Sequence, residues 1–98
     1  MKEIKQTKVF ESWFNSLTDF RTVKVVSREI DKLALGIMYH TKSVGQGLFE
    51  LKIHIGKGIR IYFINRGTEI IILLSGGDKT TQQKDIEAAK QLKEDIGG

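Results

Sequence analysis

Between Leu48 and Lys79 the apolar and polar positions predict three strands joined by two tight turns. Leu48 to Ile55 alternates, and Ile59 to Ile64 alternates with one lapse. That pattern marks strands with one buried face. Gly56-Lys57-Gly58 and Asn65-Arg66-Gly67-Thr68 supply the turns. Pairing the first two strands about Lys57 sets His54 opposite Arg60 and Lys52 opposite Tyr62. Leu51, Ile53, Ile55, Ile59, Ile61 and Phe63 then share an aliphatic face. Glu50, Lys52, His54, Arg60 and Tyr62 share the other, because side chains alternate with period two. A third strand, Glu69 to Leu74, is apolar at nearly every position, as in a central or doubly covered strand.

Elsewhere the period is mostly helical. Ile4 to Val9 is a short edge-strand candidate. Phe10, Trp13, Phe14 and Leu17 follow at i, i+3, i+4 and i+7, an aromatic stripe that anchors a short helix to the sheet. A second helix spans about Asp19 to Leu35, capped by Thr18 or Asp19 and stopped at Gly36. Its buried stripe is Phe20, Val23, Val26, Ile30, Leu33 and Ile37. Ile37 to Gly47 reads as a loop carrying His40 and Lys42. Gly76-Gly77 ends the third strand, and Thr80 with Gln83 matches a capping box. The helix after it runs to about Glu94, with Ile86, Ala89, Leu92 and Ile96 apolar and Gly97-Gly98 as its end. The order β-α-α-β-β-β-α predicts an α+β fold in a single domain over residues 1–98. It has a small antiparallel-dominated sheet, two N-terminal helices on one face and a C-terminal helix.

Composition narrows the chemistry. The 98 residues include no cysteine, so disulfides and thiolate metal sites are excluded. No apolar run is long enough for a bilayer and no export signal follows the N-terminus, so no membrane partner and a cytoplasmic location are expected. Sixteen Lys and Arg against twelve Asp and Glu give a net charge of +4, which favours an anionic partner. His40 and His54 are far apart in sequence, and no cluster has metal-ligand spacing. Gly76-Gly77-Asp78-Lys79-Thr80 has the wrong glycine spacing for a phosphate loop. A site without metal or cofactor is the expectation.

Lys52, His54, Arg60, Tyr62 and Lys79 suit phosphodiester cleavage in RNA. Cations hold the scissile phosphate and neutralise charge growing on its oxygens. His54, or a lysine of lowered pKa, takes the 2′-hydroxyl proton, and Tyr62 stacks on a base or bonds a phosphate. Glu50 is placed to orient Lys52 or Arg60. Such residues also serve merely as a solubilising face with cross-strand pairs, and pattern alone does not separate the two.

Four stretches, Phe10-Glu11-Ser12-Trp13-Phe14 with Leu17-Thr18-Asp19, Gly47 to Ile53, Gly56 to Phe63, and Leu73 to Ala89 with its Gly76-Gly77-Asp78-Lys79, cover nearly the whole chain. Together they resemble the RelE/ParE-like toxins of type II toxin–antitoxin modules, nearest the HigB-like, phage-derived addiction module killer branch. The resemblance implies a RelE-like fold, an endoribonuclease acting on ribosome-bound mRNA, and a cognate antitoxin. It implies Arg60 at the phosphate, with Lys52, Tyr62, Lys79 and Gln82 at matching positions. Lys42, Lys57, Gln82 and Lys84 are expected to contact RNA around the catalytic set. Many relatives carry a C-terminal catalytic His or Tyr, and Gln91 to Gly98 holds neither. Two alternatives stay open: a ParE-like gyrase inhibitor, and a non-toxic nucleic-acid- or protein-binding module.

Overall fold

The apolar third strand does occupy the interior of a sheet. The structure, a computed structural model, describes residues 1–97. Gly98, expected to help end the last helix, lies outside the described residues. In chain order the elements are β1 (Glu3–Gln6), α1 (Lys8–Asn15), α2 (Phe20–Ala34), β2 (Thr41–Gly45), β3 (Leu48–Ile53), β4 (Ile59–Arg66), β5 (Ile70–Asp78) and α3 (Gln82–Asp95), with a 3₁₀ turn over Lys79–Thr81 before α3. The strands lie in the order β1-β5-β4-β3-β2. β1 runs parallel to β5, and every other neighbouring pair is antiparallel. This is the expected α+β fold.

Both faces of the sheet are covered. On one, Phe10 of α1 and Val26 and Leu33 of α2 pack on Leu51, Ile53, Ile61, Phe63, Ile71 and Leu73. Phe10 stacks on Phe14 with ring centroids 6.1 Å apart, so the aromatic stripe is indeed an anchor. On the other face Ala89 of α3 sits among Leu48, Tyr62, Ile64, Ile72 and Leu74. Each large apolar side chain buried this way contributes roughly 1.5–3 kcal/mol.

Five expectations are corrected. Residues 41–45 form an edge strand, not a loop; Val44 is the only large apolar residue among them, too little for a readable alternation. The β3–β4 register puts Lys52 opposite Arg60 and Glu50 opposite Tyr62, two residues from the predicted pairing. The connection is longer than Gly56-Lys57-Gly58, and an even shift leaves the two faces unchanged. β5 continues through Gly76 and Gly77 to Asp78 instead of ending there. A Cβ on Gly76 would strike the Trp13 ring, and one on Gly77 would strike the Asp85 carboxylate. Asp78, not Thr80, supplies the side-chain cap, accepting from the Thr80 amide at 2.8 Å. Phe20 is exposed, with the Lys24 ammonium 5.5 Å from its ring centroid.

A bulge in β5 finishes the layout. Tyr62 pairs with Ser75 but Phe63 pairs with Leu73, so Leu74 is an extra residue. Such a bulge re-aims the strand. Leu74 and Ser75 therefore both serve the α3 side, and Gly76 turns towards Trp13.

Candidate nucleic-acid interface

α3 covers only part of the face that carries Glu50, Lys52, Arg60 and Tyr62. Beyond its N-terminus the ends of β3, β4 and β5 surround a cavity of about 390 Å³. Lys52 and His54 line it from β3 and the residue after it. Lys57 and Gly58 come from the connecting loop, Arg60 from β4, and Lys79 from the 3₁₀ turn. Among the described residues no carboxylate is in the lining. The strand periodicity sends Lys52 and Arg60 to the same side, and the continuation of β5 through its glycines brings Lys79 alongside.

Arg60 is the least exposed of these cations, at 6 %. A buried guanidinium needs an opposite charge. Glu50, 1 % exposed, supplies it: its Oε1 lies 3.8 Å from Arg60 Nε. Gln82, at the start of α3, donates to Glu50 Oε2 at 2.8 Å. Arg60 Nη1 reaches the Gly58 carbonyl at 3.5 Å, the outer limit of a hydrogen bond. Arg60 Nε itself has no hydrogen-bond partner among the described residues. The arrangement holds the guanidinium by charge on one side and leaves it directed at the cavity on the other. Lys52 directly opposite Arg60 is a like-charge pair, which a sheet built only for stability avoids.

Four of the five expected catalytic residues, Lys52, His54, Arg60 and Lys79, thus line one cavity, with Lys57 among them. Tyr62 does not. It is fully buried beneath α3, its hydroxyl lacks a hydrogen-bond partner among the described residues, and it has no free ring face for a base. Burial, with the Glu50 carboxylate, pushes its phenol well above the ordinary value of 10.0. The reading of Tyr62 as a stacking platform is corrected: its strand position was right, but α3 closes over it. Gln82 is turned to Glu50 as a support. Lys42 is exposed at 3.9 Å from Glu50, and Lys84 is exposed on α3, outside the cavity.

The histidines separated in sequence come together. His40 and His54 meet edge-to-face with ring centroids 5.9 Å apart. Pairing of the chain before β2 with β3, through Lys52 N–H to the His40 carbonyl at 3.0 Å, causes this. Only the unrecognised β2 strand could have announced it. Among the described residues no three His, Asp or Glu side chains gather as metal ligands. No helix among them is long and apolar enough to cross a membrane.

Fold and cavity together define a small α+β protein with a cationic pocket at the end of its sheet. The chain belongs to the family described as Phage derived protein Gp49-like (DUF891), which it matches over residues 12–94. It is 42% identical to an uncharacterised protein of Haemophilus influenzae, over 97% of this chain and 96% of that one. Its fold is that of RelE. It is similar to a chain of the intact E. coli RelBE toxin–antitoxin complex, with a TM-score of 0.66 and 9% identity, covering 80% of this chain and 96% of that one. It is also similar to the isolated E. coli RelE toxin, with a TM-score of 0.64 and 13% identity, covering 94% and 99%.

Proposed function

We propose that this protein is the toxin of a type II toxin–antitoxin module and an endoribonuclease that cuts ribosome-bound mRNA in the cytoplasm. The observation that carries the reading is the carboxylate-free cavity in which Lys52, His54, Lys57, Arg60 and Lys79 converge. Shared fold with RelE adds support, and RelE is known here in complex with an antitoxin. A cognate antitoxin is accordingly the expected partner, through an acidic or amphipathic segment matched to the net charge of +4.

The chemistry follows from the side chains. Arg60 and Lys79 hold the non-bridging oxygens of the scissile phosphate and neutralise the charge that grows on them. His54 takes the proton of the adjacent 2′-hydroxyl. The 2′-oxygen forms its bond to phosphorus as the bond to the 5′-oxygen breaks. That oxygen leaves with a proton from Lys52, and the products are a 2′,3′-cyclic phosphate and a 5′-hydroxyl. Because nucleophile and phosphate belong to one nucleotide, proximity is built into the substrate.

The test is induction in cells lacking the antitoxin, with mapping of mRNA 5′ ends. Growth arrest with cuts phased to codons, both lost in Arg60→Ala and in Lys52→Ala, which leaves the buried Glu50–Arg60 pair intact, is the expected result. Arrest with intact mRNA and DNA-damage signalling favours a gyrase target, and no arrest at all favours a plain binding module.

A further inference from the structure

A second cavity, of about 510 Å³, adjoins the cationic one across Ile55, Gly56 and Lys57, which line both. Its chemistry is the opposite. Leu17 and Ile59 are apolar walls, Thr18 and Thr22 bring hydroxyls, and Asp19 and Asp78 bring carboxylates. Thr22 donates to Asp19 at 2.7 Å and Thr80 donates to Asp78 at 2.6 Å. These bonds hold both carboxyls below their ordinary range, so both stay ionised acceptors. Lys57 is the only cation in the lining, on the shared rim.

Two carboxylates repel a phosphate. Apolar walls with fixed acceptors suit a flat heterocycle bearing N–H donors. Resting on the RNA reading above, we propose that this second cavity is a nucleobase subsite. It takes the base next to the phosphate held in the cationic cavity, with guanine preferred. Guanine offers N1–H and N2–H side by side to one carboxylate. Uracil offers a single N–H flanked by carbonyl oxygens, which the carboxylates repel. Adenine and cytosine each offer one amino group beside an acceptor nitrogen. A strand crossing Lys57 would thus have its charge sorted to one side and its base to the other.

The experiment is amide NMR on the full chain, titrated with inorganic phosphate and then with non-cleavable 2′-deoxy dinucleotides carrying guanine or uracil. Phosphate is expected to shift the resonances of Lys52, Arg60 and Lys79. The guanine dinucleotide is expected to shift Thr18, Asp19 and Thr22 as well, and to bind roughly ten-fold tighter than the uracil one. Asp19→Asn is expected to erase that preference. If the guanine dinucleotide moves only what phosphate moves, or binds no better than the uracil one, the subsite is overturned and the phosphate site stands. If neither phosphate nor dinucleotide moves any resonance, both readings fail.

Discussion

Glu50 and Arg60 lie on adjacent strands, both buried, with Oε1 and Nε 3.8 Å apart. Gln82 ties the same carboxylate to α3. The pair therefore joins the aim of Arg60 into the cavity to the packing of the last helix. Removing one partner strands a buried charge, so Glu50→Ala should lower stability by about 3–5 kcal/mol in urea unfolding. Glu50→Ala with Arg60→Leu, which removes both charges, should recover most of that loss. A single variant as stable as the parent would mean the two groups are not coupled.

Lys52 opposes Arg60 directly on the neighbouring strand and is exposed. Like charges in this position repel, so Lys52→Ala should leave stability unchanged or raise it by up to about 1 kcal/mol. Cleavage should nevertheless fall by about 10²-fold, the order lost with one charge-stabilising group. Thermal melting beside a cleavage assay reads both. A stability loss matching the activity loss would assign Lys52 a structural role.

Tyr62 offers the cleanest separation of core from site. Its hydroxyl is buried without a hydrogen-bond partner among the described residues, so Tyr62→Phe should change stability by no more than about 1 kcal/mol, towards stabilisation, and should preserve toxicity. The raised phenol pKa fixes the sign of a pH effect. Below 10.0 both folded and unfolded chains keep the proton and stability is unaffected. As pH rises past that value the unfolded chain ionises first, and stability drops until the folded phenol also titrates. Denaturant unfolding across this range should show the drop in the parent and a smaller one in Tyr62→Phe.

Gly77 and Asp85 test the route of β5. A Cβ at Gly77 would overlap the Asp85 carboxylate, so Gly77→Ala should cost about 1–3 kcal/mol, the range for overpacking. Asp85→Ala in the same chain should relieve it. Failure of the second substitution to restore urea stability would place the fault elsewhere.

Asp78 caps the turn that carries Lys79, accepting from both the amide and the hydroxyl of Thr80. The hydroxyl bond is the chief cause of its lowered pKa. Its contribution is therefore complete above the ordinary carboxylate value of 3.8 and fades as pH falls through the lower native one. Asp78→Ala should melt earlier than the parent at neutral pH, with the gap closing in acid. A gap independent of pH would argue against the ionised cap.

Periodicity was enough to define which residues belong to which face of β3 and β4, because an even register error leaves faces intact. The α1 aromatics, the Gly36 stop and the interior place of β5 were equally legible, since each rests on local pattern or on sheer apolar content. β2 was not, because edge strands bury little and alternate weakly. The glycines of β5 were misleading for a different reason: they signal a turn locally, but here they admit Trp13 from the far end of the chain and Asp85 from the helix that follows.

Residue type and alternation put Lys52, His54 and Arg60 on one face, as strand geometry demands, whereas Lys79 joins them because β5 runs on through its glycines. What they leave undecided is depth. α3 crosses the same face, so Tyr62 is sealed, Glu50 becomes a buried counter-charge, and Gln82 turns inward. Burial depends on which distant segment lands on a surface, and that is settled by packing across the whole chain, not by the order of neighbours along it.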